Sequence, residues 1–227
     1  MNSIAIVTGY SSGLGRSISE SLLSAGWTVI GVARHRFSDP VENVNGLLLQ
    51  VQGSVVDQQT VDEAFRRAEE LGGANLVVNC AGQGCFGDVG SYSASDVMTA
   101  IEGNLVGLIV FSDRAIQHMQ DRGGDIVNIM STAAKKYRPG ESVYTAAKWG
   151  AKAYTRTVRE AIKARKLKIR IFEVYPCGMN TPFWKTAIRP VADGSAFPEP
   201  GPIAAAILNA VFEASSSYQQ ELTFERS

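Results

Sequence analysis

Short continuous apolar runs alternate along this chain with longer stretches in which apolar residues recur every three or four positions. The first run is Ser3-Ile4-Ala5-Ile6-Val7-Thr8. It passes through a Ser/Gly turn into a helical stretch where Leu14, Ile18, Leu22 and Ala25 share one face. Trp27 to Ala33, Gly46 to Val51, Ala74 to Asn79, Asp125 to Met130 and Lys168 to Tyr175 are further runs, and Glu221 to Phe224 reads as a last short strand. Asp57 to Leu71 is an amphipathic helix with Val61, Ala64, Phe65, Ala68 and Leu71 on one side. Helical spacing also covers Ser95 to Met119, with an irregularity at Gly103-Asn104, then Ser142 to Ala164 and Ile203 to Ala214. Strands alternating with helices predict an α/β chain: a doubly wound parallel sheet, helices on both faces, right-handed crossovers, one domain over residues 1–227. Ligands of such sheets sit at the carboxyl ends of the strands, near the switch in strand order.

Composition changes this picture little. The chain has 227 residues, 45% hydrophobic and 19% charged, which suits a globular domain with a full core. A formal net charge of zero gives no footprint for nucleic acid or a membrane surface, and neither is expected as a partner. No apolar run is expected to span a membrane, and the early first strand leaves no room for a signal peptide. Cys80, Cys85 and Cys177 lack metal-site spacing and read as free thiols in a reducing cytoplasm, with no metal expected.

The chemistry begins at the turn Thr8-Gly9-Tyr10-Ser11-Ser12-Gly13-Leu14-Gly15. A strand that enters a helix through glycines exposes unpaired N–H groups at the positive end of a helix dipole, a place that binds phosphate. Gly9 permits the sharp turn, Gly13 lets backbone approach a pyrophosphate, and Gly15 lets the helix pack close to the sheet. Tyr144 and Lys148 stand four apart on one helical face. A cation beside a phenol favours the phenolate, so such a Tyr can trade a proton with a carbonyl or alcohol oxygen. Ser131 ends a strand, where a hydroxyl either holds a substrate oxygen or simply makes a turn. Asn104 sits inside a helical stretch, where Asn marks a kink or a functional exception.

The spacing Thr-Gly-x-x-x-Gly-x-Gly, then Asn79-Cys80-Ala81-Gly82, Asn104, Ser131, Tyr144 with Lys148, and Pro176-Cys177-Gly178-Met179-Asn180-Thr181, resembles the compact branch of the short-chain dehydrogenase/reductase family. The resemblance covers nearly the whole chain and implies a Rossmann-like fold. It implies that Tyr144 is the acid in reduction and the base in oxidation. Lys148 would bond the nicotinamide ribose and depress the Tyr144 pKa, Ser131 would orient the substrate oxygen, and Asn104 would hold a water that links Lys148 to solvent. Gly9, Ser11, Ser12, Gly13, Leu14 and Gly15 would bind the cofactor, with Asn79, Ala81 and Gly82 beside its adenosine side and ribose. Pro176, Gly178, Met179 and Thr181 would set the nicotinamide carboxamide. Three positions depart from the family: Cys80 replaces an Asn, Cys177 a Gly and Ser54 an Asp that bonds adenine, with Val55 following it.

The carboxylate that selects NAD in this fold usually ends the second strand, which here is Ala33 followed by Arg34, His35 and Arg36. A guanidinium suits a phosphate, so NADP(H) is the expected cofactor and NAD the lesser one. The expected activity is NADP-dependent hydride transfer to and from a small-molecule carbonyl or secondary alcohol. A non-catalytic dinucleotide sensor and an isomerase or dehydratase are the alternatives. Cys85, Phe86, Tyr137, Phe183 and Trp184 are candidate substrate residues, and 181–202 is too long for an ordinary connection and reads as a substrate lid. In similar proteins the helices of Ser95–Met119 and Ser142–Ala164 pack across a two-fold axis, so a homodimer or homotetramer is expected.

Overall fold

The apolar runs become the strands of one parallel sheet in the computed structural model, which describes residues 3–35, 45–190, 194–213 and 218–226. In chain order they are β1 (Ile4–Thr8), β2 (Thr28–Ala33), β3 (Leu47–Gln52), β4 (Leu76–Asn79), β5 (Gly124–Ile129), β6 (Ile169–Tyr175) and β7 (Glu221–Thr223). Across the sheet the order is β3-β2-β1-β4-β5-β6-β7, every pair parallel. The chain therefore winds outward from β1 to β3, returns to β4, and winds outward the other way. The reversal lies between β1 and β4, whose last residues Thr8 and Asn79 are register partners.

Adjacent residues of a strand point to opposite faces, and the two cores follow from that period. Val7, Val78, Val127 and Phe172 pack with Leu14, Ile18 and Leu22 of α1 (Gly13–Ser24) and Ile203 and Ile207 of α6 (Pro200–Phe212). Ile6, Val77, Ile126 and Ile171 pack on the other face. There they meet Phe65 of α2 (Gln58–Glu70), Phe111 of α4 (Gly107–Met119) and Ile162 of α5 (Ser142–Ala164). Most of these side chains are fully buried. Each such aliphatic side chain contributes about 1.5–3 kcal/mol relative to exposure.

Some boundaries differ from the sequence reading. The last long helix starts at Pro200, not Ile203, because proline is pre-set for a first helical turn and its missing N–H would have no partner there anyway. Its expected last residue, Ala214, lies outside the described residues. The irregularity at Gly103-Asn104 is real: α3 (Ala94–Ile101) passes into a π turn over Glu102–Val106 before α4 begins. The continuous helix Ala94–Met119 also has the length and apolarity to cross a membrane, against the expectation of no such run. Only 28% of its most apolar 18-residue window is buried within the chain. Its apolar residues are interrupted by polar ones, so it reads as no continuous run, but few charges fall among them.

A polar network pins the sheet below its carboxyl edge. Asn79 Nδ2 donates to Asn128 Oδ1 at 2.7 Å and to Ser112 Oγ at 2.9 Å. Asn128 Nδ2 donates to Thr155 Oγ1 at 2.9 Å. All four residues are buried, so these bonds tie β4 and β5 to α4 and α5 at fixed positions.

Candidate active site

The turns that follow β1, β4, β5 and β6 meet over the strand-order switch and enclose a cavity of about 390 Å³. Its first wall is the glycine turn. Gly9 has φ +69°, and a Cβ there would lie 2.8 Å from the Ala81 Cα. A Cβ on Gly15 would lie 2.3 Å from the Gly9 carbonyl oxygen. The turn therefore closes against both the next strand's turn and its own helix. Thr8 Oγ1 accepts from the amides of Cys80 and Ala81, each at 3.1 Å, and joins the two turns.

Helix α1 opens into this cavity uncapped. Asp57 accepts from Gln59 N at 3.2 Å to cap α2, and Ser93 makes a capping box on α3. Ser12 makes no such bond at the start of α1, and Ser12, Gly13, Leu14 and Gly15 all line the cavity. First-turn amides left without a side-chain acceptor, at the positive end of the dipole, fit a pyrophosphate.

Tyr144, Lys148, Ser131 and Asn104 come together on the facing wall. Tyr144 and Lys148 occupy one face of α5, where they are 7% and 4% exposed. Lys148 Nζ lies 5.7 Å from the Tyr144 ring centroid and donates to the Ile129 carbonyl at 3.1 Å. Burial pushes the Lys148 ammonium from 10.5 down to about 8. Burial also pushes the Tyr144 phenol above its ordinary value, while a hydrogen bond with Ser131 works the other way. The expected depression of the phenol by Lys148 is thus not what dominates here. Both groups have left water, and desolvation disfavours both charged forms.

Ser131 caps the short 3₁₀ turn Thr132–Ala134, its Oγ accepting from Ala133 N at 3.1 Å. Asn104, on the π turn, has its side chain committed: Nδ2 donates to the Gln83 carbonyl at 2.7 Å, and Oδ1 accepts from Gln83 N at 3.3 Å. A Cβ on Gly82 would lie 2.7 Å from Asn104 Oδ1 and 3.5 Å from Lys148 Nζ. Gly82 therefore keeps open the space between those two groups.

Pro176, Cys177, Gly178, Met179 and Thr181 form the back wall. Cys177 fits in a glycine's place here. Neither Cys177 nor Gly178 has a positive φ, so the turn asks for no left-handed residue. Gly178 serves packing instead: a Cβ there would approach Trp184 and Phe197 to 3.1 and 3.2 Å. Residues 181–190 and 194–199 cross over this wall; 191–193 lie outside the described residues, and 200–202, expected in the same segment, form the first turn of α6 instead. Phe86 stacks on Trp184 with centroids 5.7 Å apart, and Phe183 meets Tyr144 edge-on at 5.7 Å. Backbone bonds Ile188 N to Gly84 O at 2.8 Å and Asn180 N to Pro198 O at 2.8 Å hold the segment down.

Some expected site residues stand apart from this cavity. Asn79 turns inward to the polar network, so only its backbone faces the turn region. Cys85 is fully buried behind the wall, in a bridge with Ile188, and burial raises its thiol pKa. Tyr137 is 79% exposed and stacks on Trp149. Ser11 and Ala81 support the glycine turn without lining the cavity. Arg34 is exposed past the end of β2, and its carbonyl accepts from Gln52 Nε2 at 3.1 Å. Ser54 Oγ accepts from Val56 N at 3.5 Å, and Val55 packs where a Cβ on Gly107 would lie 2.3 Å away. Arg36 lies outside the described residues. Burial pushes the Cys80 thiol up to about 12, so it lines the cavity as a small apolar group. Conversely, Arg138, Glu141, Phe197 and Arg226 line the cavity without having been expected there. Arg138 and Glu141 lie between Ser131 and Tyr144 in sequence, a signal that was readable; Arg226 reaches the site only through the path of β7.

The arrangement can hold a phosphate-bearing ligand at α1 and pass a proton between a buried phenol and an oxygen near Ser131. A family model described as short chain dehydrogenase matches residues 3–191. Carbonyl reductase family member 4 of Danio rerio is 28% identical over 221 residues, covering 92% of this chain and 90% of that protein. An alcohol dehydrogenase of Thermococcus sibiricus, solved in complex with 5-hydroxy-NADP, superposes with a TM-score of 0.83 at 22% identity, covering 100% of this chain and 99% of that one. A short chain dehydrogenase/reductase of Burkholderia phymatum, solved in complex with NAD, gives a TM-score of 0.86 at 18% identity, covering 98% and 88%. At those identities the two structures establish likeness of fold.

Proposed function

This chain belongs to the short-chain dehydrogenase family, and from that premise we propose that it is an NADP-dependent oxidoreductase acting on a carbonyl/secondary alcohol pair. The observation that carries the reading is one cavity with an uncapped helix N-terminus on one wall and, on the other, buried Tyr144 and Lys148 beside half-buried Ser131. When bound, the nicotinamide supplies or receives the hydride. Tyr144 donates its phenolic proton to the carbonyl oxygen in reduction and takes it back in oxidation. Because burial raises the phenol, Tyr144 rests protonated, which suits the acid role. Ser131 fixes the substrate oxygen beside that phenol. Lys148 bonds the ribose hydroxyls, and the space kept open by Gly82 takes a water between Lys148 and Asn104 for proton resupply. The aromatic segment within 181–202 excludes bulk water as a lid. The free thiols Cys80, Cys85 and Cys177 suit a reducing, cytoplasmic setting.

The apolar outer face of Ala94–Met119, little buried within the chain, supports a homodimer or homotetramer built on this helix and α5. The NADP preference rests on the end of β2. Ala33 offers no carboxylate to take ribose hydroxyls or repel a phosphate, and the exposed Arg34 follows it. The test is the ratio of catalytic efficiencies with NADPH and NADH on any accepted carbonyl. We expect NADPH to be favoured at least about tenfold, a matter of about 1.4 kcal/mol. Arg34→Ala should erode the preference chiefly through the cofactor KM, and Ala33→Asp should shift it toward NADH. A wild-type ratio in favour of NADH overturns this assignment.

A further inference from the structure

The cavity has more cationic side chains than the roles above use. Its charged lining residues are Arg138, Glu141, Lys148 and Arg226. Arg138 Nη1 meets Glu141 Oε2 at 3.3 Å, and its Nη2 donates to Thr132 Oγ1 at 3.3 Å. Lys148 is buried against the Ile129 carbonyl. Arg226 has no acidic partner among the described residues. The carboxylates nearest it in sequence are already engaged, Glu225 by Lys136 at 2.9 Å and Glu221 by Lys135 and Arg156.

Arg226 is nevertheless held in place. Beyond β7 the chain is anchored by Phe224 N, which donates to the Tyr175 carbonyl at 3.0 Å, and by the Glu225–Lys136 pair. The Arg226 guanidinium carbon then lies 4.6 Å from the Phe197 ring centroid. Phe197 in turn meets Trp184 edge-on at 5.0 Å, and Trp184 stacks on Phe86. Arg226 is exposed, and a guanidinium laid over an aromatic wall keeps its N–H edge available to an oxyanion. Its planar fork matches a carboxylate in paired hydrogen bonds.

We infer that Arg226 selects substrates bearing a carboxylate set apart from the reacting carbonyl: an oxo acid or hydroxy acid whose body lies against Phe86, Trp184 and Phe197. The carbonyl end lies at Tyr144 and Ser131, and the carboxylate end lies under the tail. This inference rests on the oxidoreductase reading. A cofactor phosphate offers the same oxyanion chemistry, so the experiment must separate the two.

The experiment pairs carboxylate-bearing ketones with their methyl esters: 4-oxopentanoate, 4-oxo-4-phenylbutanoate and 4-acetylbenzoate, each assayed with NADPH against wild type, Arg226→Gln and Arg226→Lys. For at least one pair, wild type should prefer the carboxylate by about tenfold in kcat/KM. Arg226→Gln should abolish that preference chiefly through substrate KM, and Arg226→Lys, which keeps the charge without the fork, should retain part of it. The NADPH KM measured with the esters reports whether each variant is folded and binds cofactor normally. Equal handling of acids and esters by wild type would overturn the inference, as would a preference that survives Arg226→Gln. A rise in NADPH KM that is the same for acids and esters would assign Arg226 to the cofactor and overturn it too. Turnover of esters alone leaves the oxidoreductase reading standing while this inference falls. No turnover of any ketone with either nucleotide brings down both.

Discussion

Replacing Lys148 by Met should make the cofactor-free protein more stable at neutral pH while removing its activity. The ammonium is 4% exposed, and among the described residues its hydrogen-bond acceptor is the Ile129 carbonyl at 3.1 Å. Burial lowers its pKa from 10.5 to about 8. At about 1.4 kcal/mol for each pKa unit, holding it charged in the folded chain costs about 3 kcal/mol. Methionine fills similar space without charge, but leaves the Ile129 carbonyl without that donor, at about 1–3 kcal/mol. The net gain at neutral pH is about 1 kcal/mol, or about 2–4 °C in Tm for a chain of this size. The pH dependence is the sharper readout, because the carbonyl contribution drops out of it. A base with a depressed folded pKa carries its full penalty below that pKa, and sheds it as pH rises toward the unfolded value. Wild type should therefore gain about 3 kcal/mol relative to Lys148→Met between pH 8 and 10.5. Urea melts of both proteins across that range give the difference directly, since other groups titrate alike in each. A difference that stays flat would show that Lys148 is not a desolvated cation, and would remove the basis for its tuned role beside Tyr144.

Two further outcomes concern the lid and assembly. Amide hydrogen exchange over 181–190 and 194–199 should slow when NADPH and a carbonyl compound are both present, while α1 protection responds to NADPH alone; equal exchange in this segment under all conditions would refute its closing over substrate. Light scattering at micromolar concentration should give a mass of two or four chains, and Leu105→Glu or Val106→Glu, on the half-buried face of the π turn, should lower it; a monomeric wild type would refute assembly through this helix.

The strands were legible because sheets covered on both faces need continuous apolar runs, and Ile4–Thr8 or Leu76–Asn79 can hardly be anything else. Tyr144 and Lys148 were legible because four residues make about one helical turn. The inward turn of Asn79 was available but unread: it shares a strand face with Val77, which packs toward α4, where Ser112 waits. Other features depend on tertiary placement that no local pattern encodes. The raised phenol of Tyr144 comes from burial and not from its neighbour in the helix. Arg226 meets Phe197 because β7 pairs with β6 and carries the tail past Tyr175, a contact between distant parts of the sequence.

In the proposed reaction the buried Tyr144 phenol gives the proton that accompanies hydride transfer. Tyr144→Phe removes that proton and the hydrogen bond with Ser131, while Phe preserves the ring that packs against Phe183 and Phe86. The deciding measurement is single-turnover NADPH oxidation with an accepted carbonyl compound, alongside NADPH affinity by fluorescence titration, in wild type and Tyr144→Phe. NADPH affinity should be unchanged and the hydride-transfer rate lower by about 100-fold or more. A variant that binds NADPH and oxidises it at close to the wild-type rate would contradict this role of Tyr144.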